Sequence, residues 1–468
     1  MYTWVKLGDL VKWTHGKGPT AGKDTPVQGL CTDTRELKPG DIFVALKGDR
    51  VDGHQFIQTA IEKGAAAIIG EKRVTCPIPF VEVANSLTAL ACIGSELRNQ
   101  FSGQVVAITG SAGKSSTKGM IATLLGPNAM PSPASFNNLL GLSKTLTLVC
   151  ESVQYLVLEM GMNALFEIKE LCEHFKPHVG VITNIGDAHI GRLGGREQIK
   201  AAKRELFEFI ATYPQGKGVV VNCDDPLVVS AFKETFEKDS PVTSYSALGQ
   251  NADVRILEKG IDPKNFHLTL KLACRDQAWT KNLPLFGLHH TQNIAAAVAT
   301  ALHLGLSPEV WSSRLDSIKP ALHRGQISQL SGNRVLIDES YNSNPTALLS
   351  SLSTAAQVKS SRRRVLVLGD MLELEQFSQK LHQEAGLQIA TLFANTPLVV
   401  LGVGKAVEHL VATVEKKLGK PCGWVVPDAA SAVKKIADIS QEGDAILIKG
   451  SRAIQLDKVV AALSAEIQ

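Results

Sequence analysis

The run Val105–Lys118, VVAITGSAGKSSTK, constrains this chain more than any other stretch. Apolar, largely β-branched residues (Val105, Val106, Ile108, Thr109) form a strand that breaks at Gly110, and a small-residue loop leads into Lys114, Ser115 and helix-compatible sequence. Such a junction builds an anion cradle. Glycines let backbone N–H groups converge where a Cβ would intrude, and the helix N-terminus adds partial positive charge. The lysine supplies a point charge, and the hydroxyl beside it suits magnesium. The loop is shorter than the common G-x-x-x-x-G-K-[ST], with Ile108 where the first glycine would stand. A plain turn carrying a solvated lysine competes only weakly with a nucleotide-phosphate site made from Thr109, Gly110, Ser111, Ala112, Gly113, Lys114, Ser115 and Ser116.

At 468 residues the chain exceeds what one hydrophobic core supports. Its texture divides it in three. Residues 1–103 carry short strands and turns, with a helix expected near 54–64. From Gln104 strands and helices alternate, with strands expected at 104–109, 155–160, 178–184 and 217–222. Their near-continuous apolar character predicts a parallel sheet covered on both faces. Residues 252–286 look antiparallel, and 291–304 read as an alanine-rich helix. A second α/β series follows, with strands expected at 334–338, 364–369, 397–402 and 444–449; the polar stretch SQLSGN marks the join near 325–333. The expected fold class is therefore α/β with three domains, 1–103, 104–325 and 326–468, the central one a phosphate-loop domain and the last Rossmann-like.

Composition removes several function classes. A net charge of +4 is too small to imply a nucleic-acid partner. No apolar run reaches 18 residues, so no membrane span is expected. The first residues, MYTWVKLGDLVKW, lack a signal-peptide core, which predicts a cytoplasmic protein. Eight cysteines without a C-x-x-C pair fit reduced thiols, neither zinc ligands nor disulfides. No N-K-x-D motif supports a guanine-reading switch, and no Ser-His-Asp or Cys-His pattern supports a covalent nucleophile.

In open α/β sheets chemistry collects at the carboxyl ends of strands. Glu159, Asn184, Asp338, Asp370 and Lys449 all stand at such ends. Glu159 and His189 each have a bland account, a solvated carboxylate and a loop histidine, but both fall beside the phosphate loop, where metal ligands for a nucleotide are needed. Lys203, in IKAAKREL, looks by pattern alone like part of a solvated helix face. Asn293 either caps the alanine-rich helix or reads an adenine edge; both remain open. Turn chemistry explains Asn342, Asn344 and Pro345, but not an acidic pair beside a tyrosine at a domain junction. Lys449 with Gly-Ser-Arg behind it suits an anionic substrate.

Taken in order, TGSAGKSST, EMGMN, ITNIGDAH, GLHHTQN and DESYNSNP resemble the Mur ligases of peptidoglycan synthesis along the whole chain. DTRELKPGDIFVALKGDRVDGHQFI, SFNNLLGLSKTL, VLGDMLEL and IKGSRA are most similar to members that add D-alanyl-D-alanine to UDP-N-acetylmuramoyl-tripeptide. The Asp-Asn-Pro-Arg motif usual in members adding the third amino acid does not occur. The resemblance implies an ATP-dependent ligase, with ATP and Mg2+ as cofactors and UDP-MurNAc-tripeptide and D-Ala-D-Ala as substrates; a monomer is the expectation, though the sequence itself does not give the oligomeric state. It implies that Lys114 and the loop amides hold the phosphates, that Ser115, Glu159 and His189 ligate metal, and that Lys203 carries a carbamate, reversing the surface assignment. Asn293 would contact adenine, with Arg324 and Asp338 reaching the nucleotide from the junction. Thr34 and Arg35 would serve the uridine-diphosphate site of a UDP-sugar-binding first domain, and Asn137 and Asn138 the sugar or peptide. Asn342, Asp370, Lys449 and Arg452 would face the dipeptide. The chain departs from the family pattern at Ala164 and Phe166, at Gly191, where a glutamate is common, and at His290, where an asparagine is common.

Overall fold

The computed structural model describes residues 5–465 apart from 20–21, 49–50, 189, 263–266 and 358–362. Among the described residues the strands form three sheets. The first contains β1 (Gly29–Cys31), β2 (Asp41–Val44), β3 (Ala67–Gly70) and β4 (Phe80–Glu82), all parallel and in that order. The helix expected near 54–64 is a 3-10 turn, Gly53–Phe56, running into the α-helix Ile57–Glu62. Asp52 caps this turn by accepting from the His54 amide.

The second sheet takes β5 (Gln104–Thr109), β6 (Ala129–Pro131), β7 (Tyr155–Glu159), β8 (Val179–Ile182), β9 (Gly218–Asn222), β10 (Val242–Ser246), β11 (Val254–Ile261), β12 (Leu268–Cys274) and β13 (Gln277–Leu283). Their spatial order is β13-β12-β11-β10-β9-β8-β5-β7-β6, parallel from β6 to β11 and antiparallel over the last three. The four strands expected from apolar texture lie at its centre. Their side chains are buried on both faces because helices cover both: Ser86–Gln100, Leu139–Thr147, Glu167–Phe175 and Arg196–Thr212 on one side, Lys114–Leu125 and His290–His303 on the other. Each fully buried valine, isoleucine or leucine there contributes about 1.5–3 kcal/mol. The same core runs from Phe175 and Leu206 through Leu97 into Val5 and Ile42, so the first sheet shares its interior with the second.

The third sheet orders β14 (Gln326–Leu330), β15 (Arg334–Asp338), β16 (Arg364–Gly369), β17 (Leu398–Val403), β18 (Gly423–Val426) and β19 (Ala445–Lys449) as β14-β15-β19-β16-β17-β18. The polar stretch in which the join was expected forms β14 and its turn, antiparallel to β15. An edge strand needs no apolar run, and its alternation hid it.

The second and third units touch through short segments. Ile190, in the short helix Ile190–Leu193, packs on both cores. Arg192 pairs with Glu373 at 3.2 Å. A Cβ on Gly191 would sit 2.7 Å from the Leu374 carbonyl carbon and 2.8 Å from the Glu373 oxygen.

Candidate active site

The loop after β5 is shaped by its glycines and held from β8. Gly110 has φ +149 and leaves no room for a Cβ beside Thr183 Oγ1; Gly113 has φ +80 and caps the helix Lys114–Leu125. A Cβ on Gly113 would lie 2.5 Å from Asn293 Oδ1. Thr183 Oγ1 donates to the Ala112 carbonyl at 2.7 Å, and the Asn184 amide group both accepts from the Ala112 N–H (2.9 Å) and donates to its carbonyl (3.0 Å). Thus the loop's shape is fixed before any ligand arrives.

Lys114 Nζ donates to the Gly110 carbonyl at 2.7 Å. Burial holds this ammonium below its ordinary range; Glu159 opposes the effect and Arg324 adds to it. Ser115 donates to Glu159 Oε2 at 2.6 Å, and Asn137 Nδ2 donates to Oε1 at 3.3 Å. Glu159 is almost wholly buried. Desolvation alone would raise its pKa, but Lys114, Lys118, the Ser115 hydroxyl and Arg324 together hold it below the ordinary carboxylate range. Lys118, one helical turn beyond Lys114, lies 3.4 Å from Glu159 Oε2 and donates to the Ala134 carbonyl at 2.6 Å. Sequence reasoning missed Lys118, although its i, i+4 spacing from Lys114 puts both on one helix face.

A cleft of about 370 Å³ opens between this loop and the third sheet. It gathers many of the predicted residues: Ser111 through Ser116, Asn137, Glu159, Asn293, Arg324, Asn342, Lys449 and Arg452. Thr109 and Gly110 form its root rather than its lining. Asn293 is not a helix cap, because the helix begins at His290; its side chain instead accepts from Thr117 Oγ1 at 3.3 Å, behind the phosphate loop. Arg324 donates to Ser115 Oγ at 3.1 Å, and its guanidinium lies 4.0 Å from the Tyr341 ring centroid. Buried Lys449 bonds Glu339 Oε2 (3.2 Å) and the Asn342 carbonyl (3.1 Å). Asn344 caps the helix Pro345–Ala355 and donates to the Ser111 carbonyl at 3.2 Å, tying the third unit to the phosphate loop.

Other predicted residues fall elsewhere. Lys203 is buried in the helix Arg196–Thr212, contrary to the surface expectation from pattern. Its neighbours Lys200 and Arg204 face out and pair with Glu234, whereas Lys203 makes no hydrogen bond or ion pair among the described residues. Burial, with Lys114 nearby, drives its pKa well down. Asp338 does not line the cleft: it accepts from Ser340 and pairs with His323 Nδ1 at 2.7 Å, and it is His323 that faces the cavity. Asp370 is likewise withdrawn, because the Lys405 and Val407 amides occupy both its oxygens. Asn138 caps the helix Leu139–Thr147. Thr34 and Arg35 stand in the turn after β1, outside the cleft, where Arg35 pairs with Asp33 at 2.5 Å. His189 lies outside the described residues.

Among the described residues no cluster of three or more His, Cys, Asp or Glu side chains forms a metal cage, and no helix is long and apolar enough to cross a membrane. The cysteines among them are free. What the cleft offers is oxygen donors and cations around a backbone anion cradle, suited to phosphoryl transfer rather than to nucleophilic catalysis by the protein.

Three family models match the chain: Mur ligase middle domain over residues 108–301, the Mur ligase glutamate ligase domain over 323–452, and the Mur ligase family catalytic domain over 26–96. The UDP-N-acetylmuramoyl-tripeptide–D-alanyl-D-alanine ligase of Bacillus subtilis is 30% identical over 98% of this chain and 97% of its own. Crystal structure I of MurF from Acinetobacter baumannii superposes with TM-score 0.84 at 29% identity, covering 98% of both chains. The MurF ligase of Thermotoga maritima, solved in complex with ADP, gives TM-score 0.79 at 26% identity over 94% of this chain and 98% of that one.

Proposed function

Because the chain belongs to the Mur ligase family, we propose that it joins D-alanyl-D-alanine to UDP-N-acetylmuramoyl-tripeptide, converting ATP to ADP and phosphate. The observation that carries this is the single cleft in which the phosphate loop and the cations of the third sheet face each other. Around it, residues 1–103 are assigned to the UDP-sugar, 104–325 to ATP and 326–468 to the dipeptide. The absence of a membrane-spanning helix among the described residues is compatible with the cytoplasmic location proposed for the enzyme.

A carboxylate acylates poorly because its leaving group would be oxide. Here ATP is a substrate: the tripeptide carboxylate takes its γ-phosphoryl group and ADP leaves. The resulting acyl phosphate has phosphate as its leaving group. The neutral amine of D-Ala-D-Ala then attacks the carbonyl carbon, and collapse of the tetrahedral adduct expels phosphate and forms the peptide bond. Lys114 and the loop amides neutralise phosphoryl charge, and Arg324 adds a second cation beside Ser115. Asn137, which bonds Glu159 and lines the cleft, is assigned to the sugar or peptide of the acyl substrate. Lys449 and Arg452 suit the dipeptide carboxylate, which lies far from its reacting amine. Thr34 and Arg35 are assigned to the uridine diphosphate moiety.

Ser115 and Glu159 fit magnesium, since they offer a hydroxyl and a buried carboxylate 2.6 Å apart at the edge of the cleft. When bound, the ion supplies charge neutralisation across the phosphates. A buried lysine without partners supports a neutral amine at Lys203, the form on which a carbamate is made, and we assign that modification there.

Mass spectrometry of the product from UDP-MurNAc-tripeptide, ATP and D-Ala-D-Ala tests the proposal. Pentapeptide product is expected, with phosphate released only when both the carboxylate and the amine substrate are present. Efficient addition of free diaminopimelate, lysine or glutamate would move the chain to a sister activity.

A further inference from the structure

Arg324 is held in an unusual way for a cleft arginine. Among the described residues no carboxylate pairs with its guanidinium, whose one hydrogen bond goes to Ser115 Oγ at 3.1 Å. A long side chain tethered by one neutral hydroxyl would sample many rotamers. What fixes it is the Tyr341 ring, 4.0 Å from the guanidinium carbon, against which a planar guanidinium stacks. The ring is itself braced. The Tyr341 amide donates to the His323 carbonyl, next to Arg324, at 3.3 Å. The following residue, Asn342, accepts from Lys449 Nζ through its carbonyl and from the Arg452 amide through its side chain. The Arg452 guanidinium carbon lies 5.8 Å from the same ring centroid and is anchored to Asp457 at 3.1 Å.

One aromatic ring therefore contacts two arginines with different duties: one beside the phosphate loop, the other after β19, facing the dipeptide subsite. We propose that Tyr341 is a positioning residue that holds Arg324 against the phosphate loop and couples its placement to Arg452. A carboxylate engaging Arg452 would shift that guanidinium against the ring and so favour one placement of Arg324. By reciprocity, a nucleotide that engages Arg324 would then raise dipeptide affinity. The inference rests on the ligase reading for the identity of the dipeptide, but not for the role of the ring.

The test compares Tyr341→Leu, Tyr341→Gln and Tyr341→Phe in the full chain. The readout is the ratio of dissociation constants for ADP and a non-hydrolysable ATP analogue, with and without D-Ala-D-Ala. Losing the ring should reduce the preference for the analogue about tenfold while ADP affinity stays within twofold, since Lys114 and the loop amides remain. Tyr341→Phe should restore the preference to within twofold of wild type. Dipeptide should tighten the analogue in wild type and in Tyr341→Phe, and leave it unchanged in the Leu and Gln variants. An equal loss for ADP and analogue would mark the ring as merely structural and overturn the proposal. So would a Phe variant as impaired as Leu, or a Leu variant with wild-type preference. If the wild-type enzyme yields no pentapeptide, the substrate reading falls, while the dipeptide-free ratio still decides on Tyr341.

Discussion

Gly113, like Gly110, leaves the loop after β5 little freedom, and Gly113→Ala measures how much of nucleotide affinity is preorganised backbone. An alanine at φ +80 is held in the left-handed region, at a cost of about 1–2 kcal/mol. Its Cβ also meets Asn293 Oδ1 at 2.5 Å, and Asn293, buried against Thr117, yields only by leaving its rotamer, for about 0.5–1.5 kcal/mol more. The free loop relieves both by moving; nucleotide binding must restore them. Affinity for ADP should therefore fall roughly 30- to 150-fold, the equivalent of about 2–3 kcal/mol, with the unfolding temperature little changed. Titration calorimetry with Mg·ADP reads this directly. In an Asn293→Ala background the steric part vanishes, so the added penalty of Gly113→Ala should shrink by roughly two- to twelvefold, a coupling that a double-mutant cycle isolates. An alanine variant binding ADP within threefold of wild type, or an equal penalty in both backgrounds, would refute the account.

Lys203→Ala should abolish most ligation, with partial recovery on adding a short-chain carboxylate; a fully active alanine variant would remove any role for a carbamate there. Arg452→Ala should weaken apparent D-Ala-D-Ala binding by about one to two decades, from a charge-assisted contact of roughly 1.5–3 kcal/mol, with ADP affinity nearly unchanged; a parallel loss of ADP binding would reassign the residue. His178, at the opposite end of β8 from the cleft, accepts the Val105 amide at 2.9 Å and is depressed to about 4 from the ordinary 6.5, by burial first and then by Arg98. The unfolded chain takes up that proton first, so the contribution to stability is complete above about 6.5 and is lost as pH falls toward about 4. Thermal melts should show His178→Gln flattening that part of the pH profile, and an unchanged slope would discount the group.

The loop after β5 was legible because its signals are local: strand, glycines, lysine and hydroxyl are contiguous, and the strand–loop–helix backbone they imply is the one formed. The central strands of the second sheet were legible for a similar reason, since burial on both faces leaves an uninterrupted apolar run. Lys203 was not, because its helix carries cations on inward and outward faces alike, and only packing reveals which one loses water. Asn293 stayed ambiguous until the helix was seen to begin three residues earlier, at His290. β14 was concealed by its place at a sheet edge, where polar residues are tolerated. Asp338 and Asp370 stand at strand ends as expected, yet backbone amides or a neighbouring histidine use up their oxygens. Strand-end position gives an address, not an orientation. His323 had no signal at all, because what aims it into the cavity is a pairing with Asp338, fifteen residues away.

Gly191 bears on how tightly the enzyme can shut. Its missing methyl would face the Glu375 Cγ, which can rotate aside, and also the Leu374 carbonyl carbon and the Glu373 oxygen, which belong to main chain and cannot. At this point only a hydrogen atom fits between the half proposed to hold the nucleotide and the half proposed to receive the dipeptide. Any larger residue at this place acts as a shim. It would wedge the short helix off the 373–375 turn and strain the Arg192–Glu373 pair. A larger residue here should therefore loosen the contact between the two units and let water reach any acyl phosphate formed between them, although Gly191 has no side chain to take part in the chemistry.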